Sequence, residues 1–426
     1  MGMLETRTLD FENLVLLSAN ENILPSARRQ NSFIPFEIKK QFGLPTYRDR
    51  DSIYAYHFYR LLQRCKKAYL IYNTETDQLG GGDKSRFLLQ LARELPAYNP
   101  DTKIKQNIYG SRIRDLKRSN EIIIEKTDIL MDKLKEKASH GLSASSLNQF
   151  RKCTLQFYFS SILELQEDKE VEESIDAANL GTIIHDSLQH IYSEFQNQVL
   201  NSEVLQQAKK SISQKISHSF KKKFPGGEAK HGKNLLILKA AESLIENVLR
   251  HDAEMLKDHE LIIQELENKV TLEFPLNDQK DFKVKLKGYI DRMDMFDGKQ
   301  RLLDYKTGYV DKNELSVSSE AEVKDKKFSN IAFQLLFYAL IQIHKATQEP
   351  KGIQAAAMSL RKNKDLLINL QIDKNRNIDK ANILFFENQL TSLLAEIFDK
   401  EKHFEQTNDV ENCRHCTYNI ICNREL

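Results

Sequence analysis

The dipeptide Asp297-Gly298 constrains this chain more than any other short signal, because it separates two strand-like runs and suits the turn of a tight hairpin. Those runs are Phe282 to Ile290 and Arg301 to Tyr305, and Val270 to Phe274 precedes them as a third. The hairpin puts the string GYIDRMD on one strand and LLDYKTG on the next. Residues two apart on a strand share a face, so Asp304 and Lys306 point the same way, across from what the strand carrying Asp291 presents. Two carboxylates and an ammonium arranged like this can hold a hard cation. A D-x-K triplet alone, however, is usually a solvated strand face in so charged a chain, so its surroundings must carry the argument.

From Ser143 the sequence reads as helix, with Ser143, Ser145 or Ser146 as N-cap before Leu147, Phe150, Leu155 and Phe159. A second helix, about Ala177 to Phe195, carries the stripe Ile184, Leu188, Ile191 and Phe195, with His185 beside it one turn after Gly181. Residues 201–260 read as further helices, interrupted at Pro225-Gly226-Gly227. After the strands come a helix from about Asn330 to Ile343, strands near Ala355 to Leu360 and Leu367 to Ile372, and an amphipathic helix near Asp379 to Phe398. Gln334 and Tyr338 share a helix face through their i, i+4 spacing.

Asp291 followed by D-x-K on the adjacent strand resembles the PD-(D/E)XK nuclease superfamily, and more narrowly its RecB/AddB branch. In that branch a G-x-x-x-H helix precedes the strands, as in Gly181 to His185, and a Q-x-x-x-Y helix follows them, as in Gln334 to Tyr338. The resemblance implies an α/β, restriction-endonuclease-like core, a central mixed sheet flanked by helices. It also implies that His185, Asp291 and Asp304 surround Mg²⁺ or Mn²⁺, that Lys306 serves catalysis, and that Gln334 and Tyr338 line the site. Some members add an upstream acid, a role open here to Glu265 or Glu267. The implied activity is a deoxyribonuclease, expected to be an exonuclease on single-stranded or unwound DNA ends in recombinational repair. The competing expectation is a non-catalytic DNA-binding or scaffolding subunit, against which the intact Asp291, Asp304 and Lys306 argue.

Cys413, Cys416 and Cys422 form C-x2-C-x5-C, and Cys153 lies 260 residues before the first of them, on the helix opening the nuclease region. Four thiolates suit a [4Fe-4S] cluster, with zinc as the alternative. One cysteine before the core and three after it resembles AddB-type and related CRISPR-adaptation nucleases, in which the cluster pins the tail to the domain's first helix. Cys65 is left over and is expected as a buried thiol in a helix.

A chain of 426 residues exceeds one core, and three parts are expected: 1–95, 96–140 and 141–426. In the first, strands at Leu14 to Leu17 and Ala68 to Tyr72 flank a helix from about Asp51 to Cys65. The strings LETRTLDFENLVLLSANENILP and RDRDSIYAYHFYRLLQRCKKAYLIYN resemble the end of a UvrD-like or AddB-like helicase region, with Arg64 at the place of the nucleotide-sensing arginine. The early apolar run suggests a cut through a longer protein, and a helicase or helicase-nuclease partner is implied. Gly80 to Ser85 is not a P-loop, since Asp83 stands where glycine is required, so no ATP binding is expected of this chain alone. The second part, with Arg112, Arg114, Lys117 and Arg118 and a β-rich run at Ile122 to Ile124, reads as a linker touching phosphate. Charged residues are 29% of the chain but the net charge is only +2, so a DNA surface must be a local basic groove. No apolar run is long enough to span a bilayer and no secretory signal opens the chain, so the expected location is cytoplasmic.

Overall fold

The computed structural model describes the chain except residues 1, 4, 8, 26–33, 75–81, 111–120, 167–174, 226, 277–281, 347–351, 363–364 and 425–426. It divides into two compact units, Met1–Arg114 and Asp115–Leu426. Among the described residues no helix is long and apolar enough to cross a membrane.

In the first unit, β1 (Asn13–Leu16) and β2 (Lys67–Leu70) pair in parallel, which requires a crossover, supplied by α1 (Phe36–Gln41) and α2 (Tyr47–Leu62); α3 (Arg86–Tyr98) follows. Ala19, Leu24, Phe58 and Phe87 form its small core. Cys65 is not in a helix. It lies half-buried in the turn after α2, its Sγ 3.2 Å from the Leu62 carbonyl, because the chain leaves the helix to let the Lys66 and Lys67 amides reach the Glu12 carbonyl. Arg64 pairs with Asp10 at 2.9 Å. Gly80, Gly81, Arg112, Arg114, Lys117 and Arg118 lie outside the described residues.

The second unit opens with β3 (Ile123–Ile124), α4 (Asp128–His140), β4 (Leu142–Ser143), α5 (Ala144–Lys152) and α6 (Thr154–Phe157). Thus the expected linker is folded from β3 onward: Leu130, Leu134 and Ala138, four residues apart, bury one stripe of α4 while its lysines and acids stay outside. Cys153 is a further departure. It sits in the break between α5 and α6 with extended dihedrals, φ −159° and ψ 115°, which no helix can contain. Three helices follow, α7 (Ala177–Tyr192), α8 (Ser202–Lys223) and α9 (Gly232–Met255), then β5 (Leu261–Pro275), β6 (Lys283–Phe296) and β7 (Lys299–Lys306). The turn at Asp297-Gly298 has positive φ at both residues, 46° and 75°, as a two-residue hairpin demands. Beyond β8 (Ser316–Val317) come α10 (Asn330–Lys345), β9 (Ile353–Ser359), β10 (Leu367–Asn369), β11 (Gln371–Ile372), α11 (Leu384–Phe398) and β12 (Phe404–Glu405). The single strand expected at Leu367 to Ile372 is therefore two, β10 on β9 and β11 on β8.

The main sheet runs β10-β9-β7-β6-β4, with β5 on the other edge of β6. It is mixed: β6 is antiparallel to β5 and β7, whereas β9 is parallel to β7 and β4 to β6. One face packs on α4, α5, α10 and α11, and the other on α7, α8 and α9. That is the expected sheet flanked by helices. Helix α10 is apolar nearly all round because it is enclosed, ten of its residues being buried.

Candidate active site

Strand β6 is shared along one edge. β4 pairs with it at Leu286 and Lys287, and β7 only from Arg292 onward, so residues 288–291 lie in an opening between the two partners. Extending the ladder by one step from Arg292↔Leu303 sets Asp291 opposite Asp304. The Asp291 Oδ2 accepts the Tyr305 amide at 2.7 Å, which fixes the carboxylate at the point where the strands part.

The sheet also changes hand of alternation here. On β6, Val284, Leu286 and Ile290 face α10, yet beyond Asp291 the odd-numbered Met293 takes that side. Arg292 then faces the opposite helices, stacking over Tyr192 of α7 and bonding Asp252 of α9. On β5 the even-numbered Val270 and Phe274 lie in the α10 core, whereas the even-numbered Leu266 packs on the other. Between them Glu267 has φ 47°, unusual for a residue other than glycine. The ladder resumes unshifted on both sides, as Leu266↔Arg292 and Asn268↔Ile290, so Glu267 faces Asp291 at a common kink.

His185 reaches the same point from α7, whose N-cap Asp176 accepts the Asn179 amide at 2.6 Å. Its Nδ1 is 3.4 Å from Asp291 Oδ1. One ligand atom each from His185, Glu267 and Asp291 lies within 4.8 Å of the others. Glu265 stays outside, its carboxylate held by Asn268. Asp304 is not in this trio. Its buried Oδ2 touches Lys306 Nζ at 2.8 Å without hydrogen-bond geometry and has no other partner among the described residues. The Lys306 ammonium also donates to Gln334 Oε1 at 3.0 Å, and Gln334 Nε2 to the Tyr338 hydroxyl at 3.0 Å. Tyr338 lies over Gly288, where any Cβ would overlap the ring.

Electrostatically the site holds too much negative charge for its burial. Burial, then repulsion from Asp291, pushes Glu267 up to about 7. Asp304 rises to about 6, because burial and Asp291 outweigh the pull of Lys306. For His185, burial opposes the charged form, but the hydrogen bond and charge of Asp291 prevail and raise it to about 9. Two carboxylates and an imidazole converging, beside a buried carboxylate oxygen with no hydrogen bond, form a donor set suited to a divalent cation. The sequence reading found His185, Asp291, Asp304, Lys306, Gln334 and Tyr338, all brought here; it left Glu267 undecided against Glu265.

A second cluster lies at the tail. Cys153, Cys413, Cys416 and Cys422 line one small pocket. Yet no three of their sulfurs come within 4.8 Å of one another. The tail is also tied down without them: β12 pairs with β3, and Thr154 Oγ1 accepts the Glu405 amide at 2.8 Å.

Residues 141–423 match the family model of the PD-(D/E)XK nuclease superfamily. A solved structure described as "Crystal structure of SSO0001" is similar at 16% identity over 71% of this chain and 99% of that one, with a TM-score of 0.22. No curated protein matches. With the family match spanning the whole sheet and every residue of the converging site, the chain belongs to the PD-(D/E)XK nuclease superfamily.

Proposed function

We propose that this chain is a Mg²⁺- or Mn²⁺-dependent deoxyribonuclease acting on single-stranded or unwound DNA ends, as an exonuclease in recombinational repair. The observation that carries this reading is the convergence of His185, Glu267 and Asp291 beside the chain Asp304, Lys306, Gln334 and Tyr338. The trio, with Asp304 next to it, would hold the ion, which when bound neutralises phosphate charge and lowers the pKa of a water. Lys306, steadied by Gln334, orients that water and meets negative charge as it builds on the phosphate. Asp291 is oriented by the Tyr305 amide, and Tyr338 fixes Gln334. The test is cleavage of labelled single-stranded DNA by purified protein. Divalent-dependent cutting that vanishes in Asp304→Ala and Lys306→Ala supports the enzyme, and equal cutting by both variants points to a contaminant.

The four cysteines are assigned a [4Fe-4S] cluster in preference to zinc. One distant cysteine with a C-x2-C-x5-C triplet is unlike the paired C-x2-C knuckles common in zinc sites, which favours the cluster. A brown, iron-containing protein from anaerobic preparation is expected; a colourless, zinc-loaded one overturns the assignment. The resemblance of the first 90 residues to a helicase region, with the parallel β1 and β2 crossover, supports a helicase partner upstream of this site.

A further inference from the structure

The opening beside β6 leads onto a sheet face that, among the described residues, only the end of α4 touches, Lys287 donating to the His140 carbonyl at 3.2 Å. Up to the kink, the odd-numbered residues of β6 point away from α10, and α7 to α9 pack only beyond it. In order along that face stand Lys283, Lys285, Lys287 and Tyr289, and β5 adds Lys269 directly opposite Tyr289. Glu273 is the carboxylate among them and pairs with Lys283 at 3.4 Å. Lys269 and Lys285 have no ion pair among the described residues, and burial, then the charges of Lys137, Lys269 and Lys285, hold Lys287 below its ordinary value. Such crowding of like charge costs stability, so the face suits a polyanion. Tyr289 is 54% exposed, and with Gln334 and Tyr338 of α10 it lines a groove that reaches Lys306; the lysines of the row lie outside that groove.

We infer that this face is the track for one unpaired DNA strand, with Lys269, Lys285 and Lys287 on successive phosphates and Tyr289 stacking the base beside the cleaved bond. The step of two residues along a strand, about 6.7 Å, is close to the phosphate spacing of an extended single strand. A row of lysines ending in an exposed ring is the arrangement that binds unpaired nucleic acid irrespective of sequence. A duplex would keep its bases stacked internally and leave Tyr289 idle. The inference rests on the nuclease reading, since the track ends at Asp291.

The test is anisotropy of a fluorescein-labelled 20-nucleotide single strand with Ca²⁺, so that the strand is bound without being cut, together with melting of each variant to show it is folded. Tyr289→Ala should weaken binding about tenfold while Tyr289→Phe preserves it. Lys269→Ala with Lys285→Ala should flatten the slope of log affinity against log salt by about 1.4. Blunt duplex binding should change in neither. Folded variants that keep single-strand affinity and salt slope overturn the track, as does an equal loss for duplex. If the same wild-type preparation cuts DNA with Mn²⁺, the nuclease reading survives that failure; if it neither binds nor cuts, both fall.

Discussion

Two clusters of charge adjoin on β6, a rear one at Arg292 and a front one at Asp291, both reached by α7, and they are built on opposite terms. In the rear cluster Arg292 bonds Asp252 at 2.7 Å and Asp294 at 2.9 Å, Arg301 bonds Asp294 at 2.9 Å, and Tyr192 donates to Asp252 at 2.6 Å. Two guanidiniums meet two carboxylates, and burial is balanced by pairing. In front, Glu267, Asp291 and Asp304 face one another with His185 and Lys306, and two of the three carboxyls are pushed upward. The first cluster balances its charges within the protein, although Arg292 Nη2 is left without a hydrogen bond, and the second is short of positive charge. What the pair teaches is that balanced charge marks structure and unbalanced charge marks a site that expects a ligand.

The largest way to break the comparison is to cut the site without touching the fold. Lys306→Ala should lower the cleavage rate about 100- to 1000-fold, and Asp304→Asn at least as much. Because Asp304 is a repelled, buried carboxyl, Asp304→Asn should melt no lower than wild type in metal-free buffer, as read by calorimetry. A fall of several degrees would mean that the front cluster is also structural.

Cutting the rear cluster should do the reverse. Arg292→Ala leaves Asp252 and Asp294 buried without their partner and should cost about 3 to 5 kcal/mol in denaturant unfolding. Asp252 sharpens this further, because the Arg292 charge overcomes burial and holds its carboxyl below the ordinary range. Its folded value is depressed, so its contribution is present above about pH 4 and fades as pH falls through the lower folded value. Acid unfolding of wild type should therefore include this loss, and Arg292→Ala should lack it.

Ligand linkage separates the clusters by a smaller amount. Mn²⁺ at about 100 times its Kd should stabilise wild type by about 2.7 kcal/mol, and a Glu267→Gln protein should show much less. Glu265→Gln should behave as wild type, since its carboxylate is turned to Asn268. The smallest effect expected is Gln334→Ala, which removes one 3.0 Å support from Lys306 and should cost about tenfold in rate with melting unchanged.

The sequence carried the hairpin and most of the helix order, because turn chemistry and apolar spacing are local, and the resemblance named six residues that the fold brings together. It could not choose Glu267 over Glu265, since counting alternate residues fails where Glu267 takes positive φ and both strands swap faces. The same string GYIDRMD hid that Arg292 and Asp294 serve the rear cluster, whose partner Asp252 lies forty residues earlier on a helix. Helix α4 was missed because its buried stripe is only Leu130, Leu134 and Ala138 among charged neighbours. Cys153 was placed on a helix because a one-residue break leaves no local mark in the apolar pattern.

The central claim is that the front cluster is completed by one divalent ion, and anomalous diffraction from crystals soaked in Mn²⁺ tests it most directly. A single strong peak among His185, Glu267 and Asp291, beside the Asp304 carboxyl, is the predicted result. Full-occupancy binding elsewhere, or a clean map at that point with Mn²⁺ present, would contradict it.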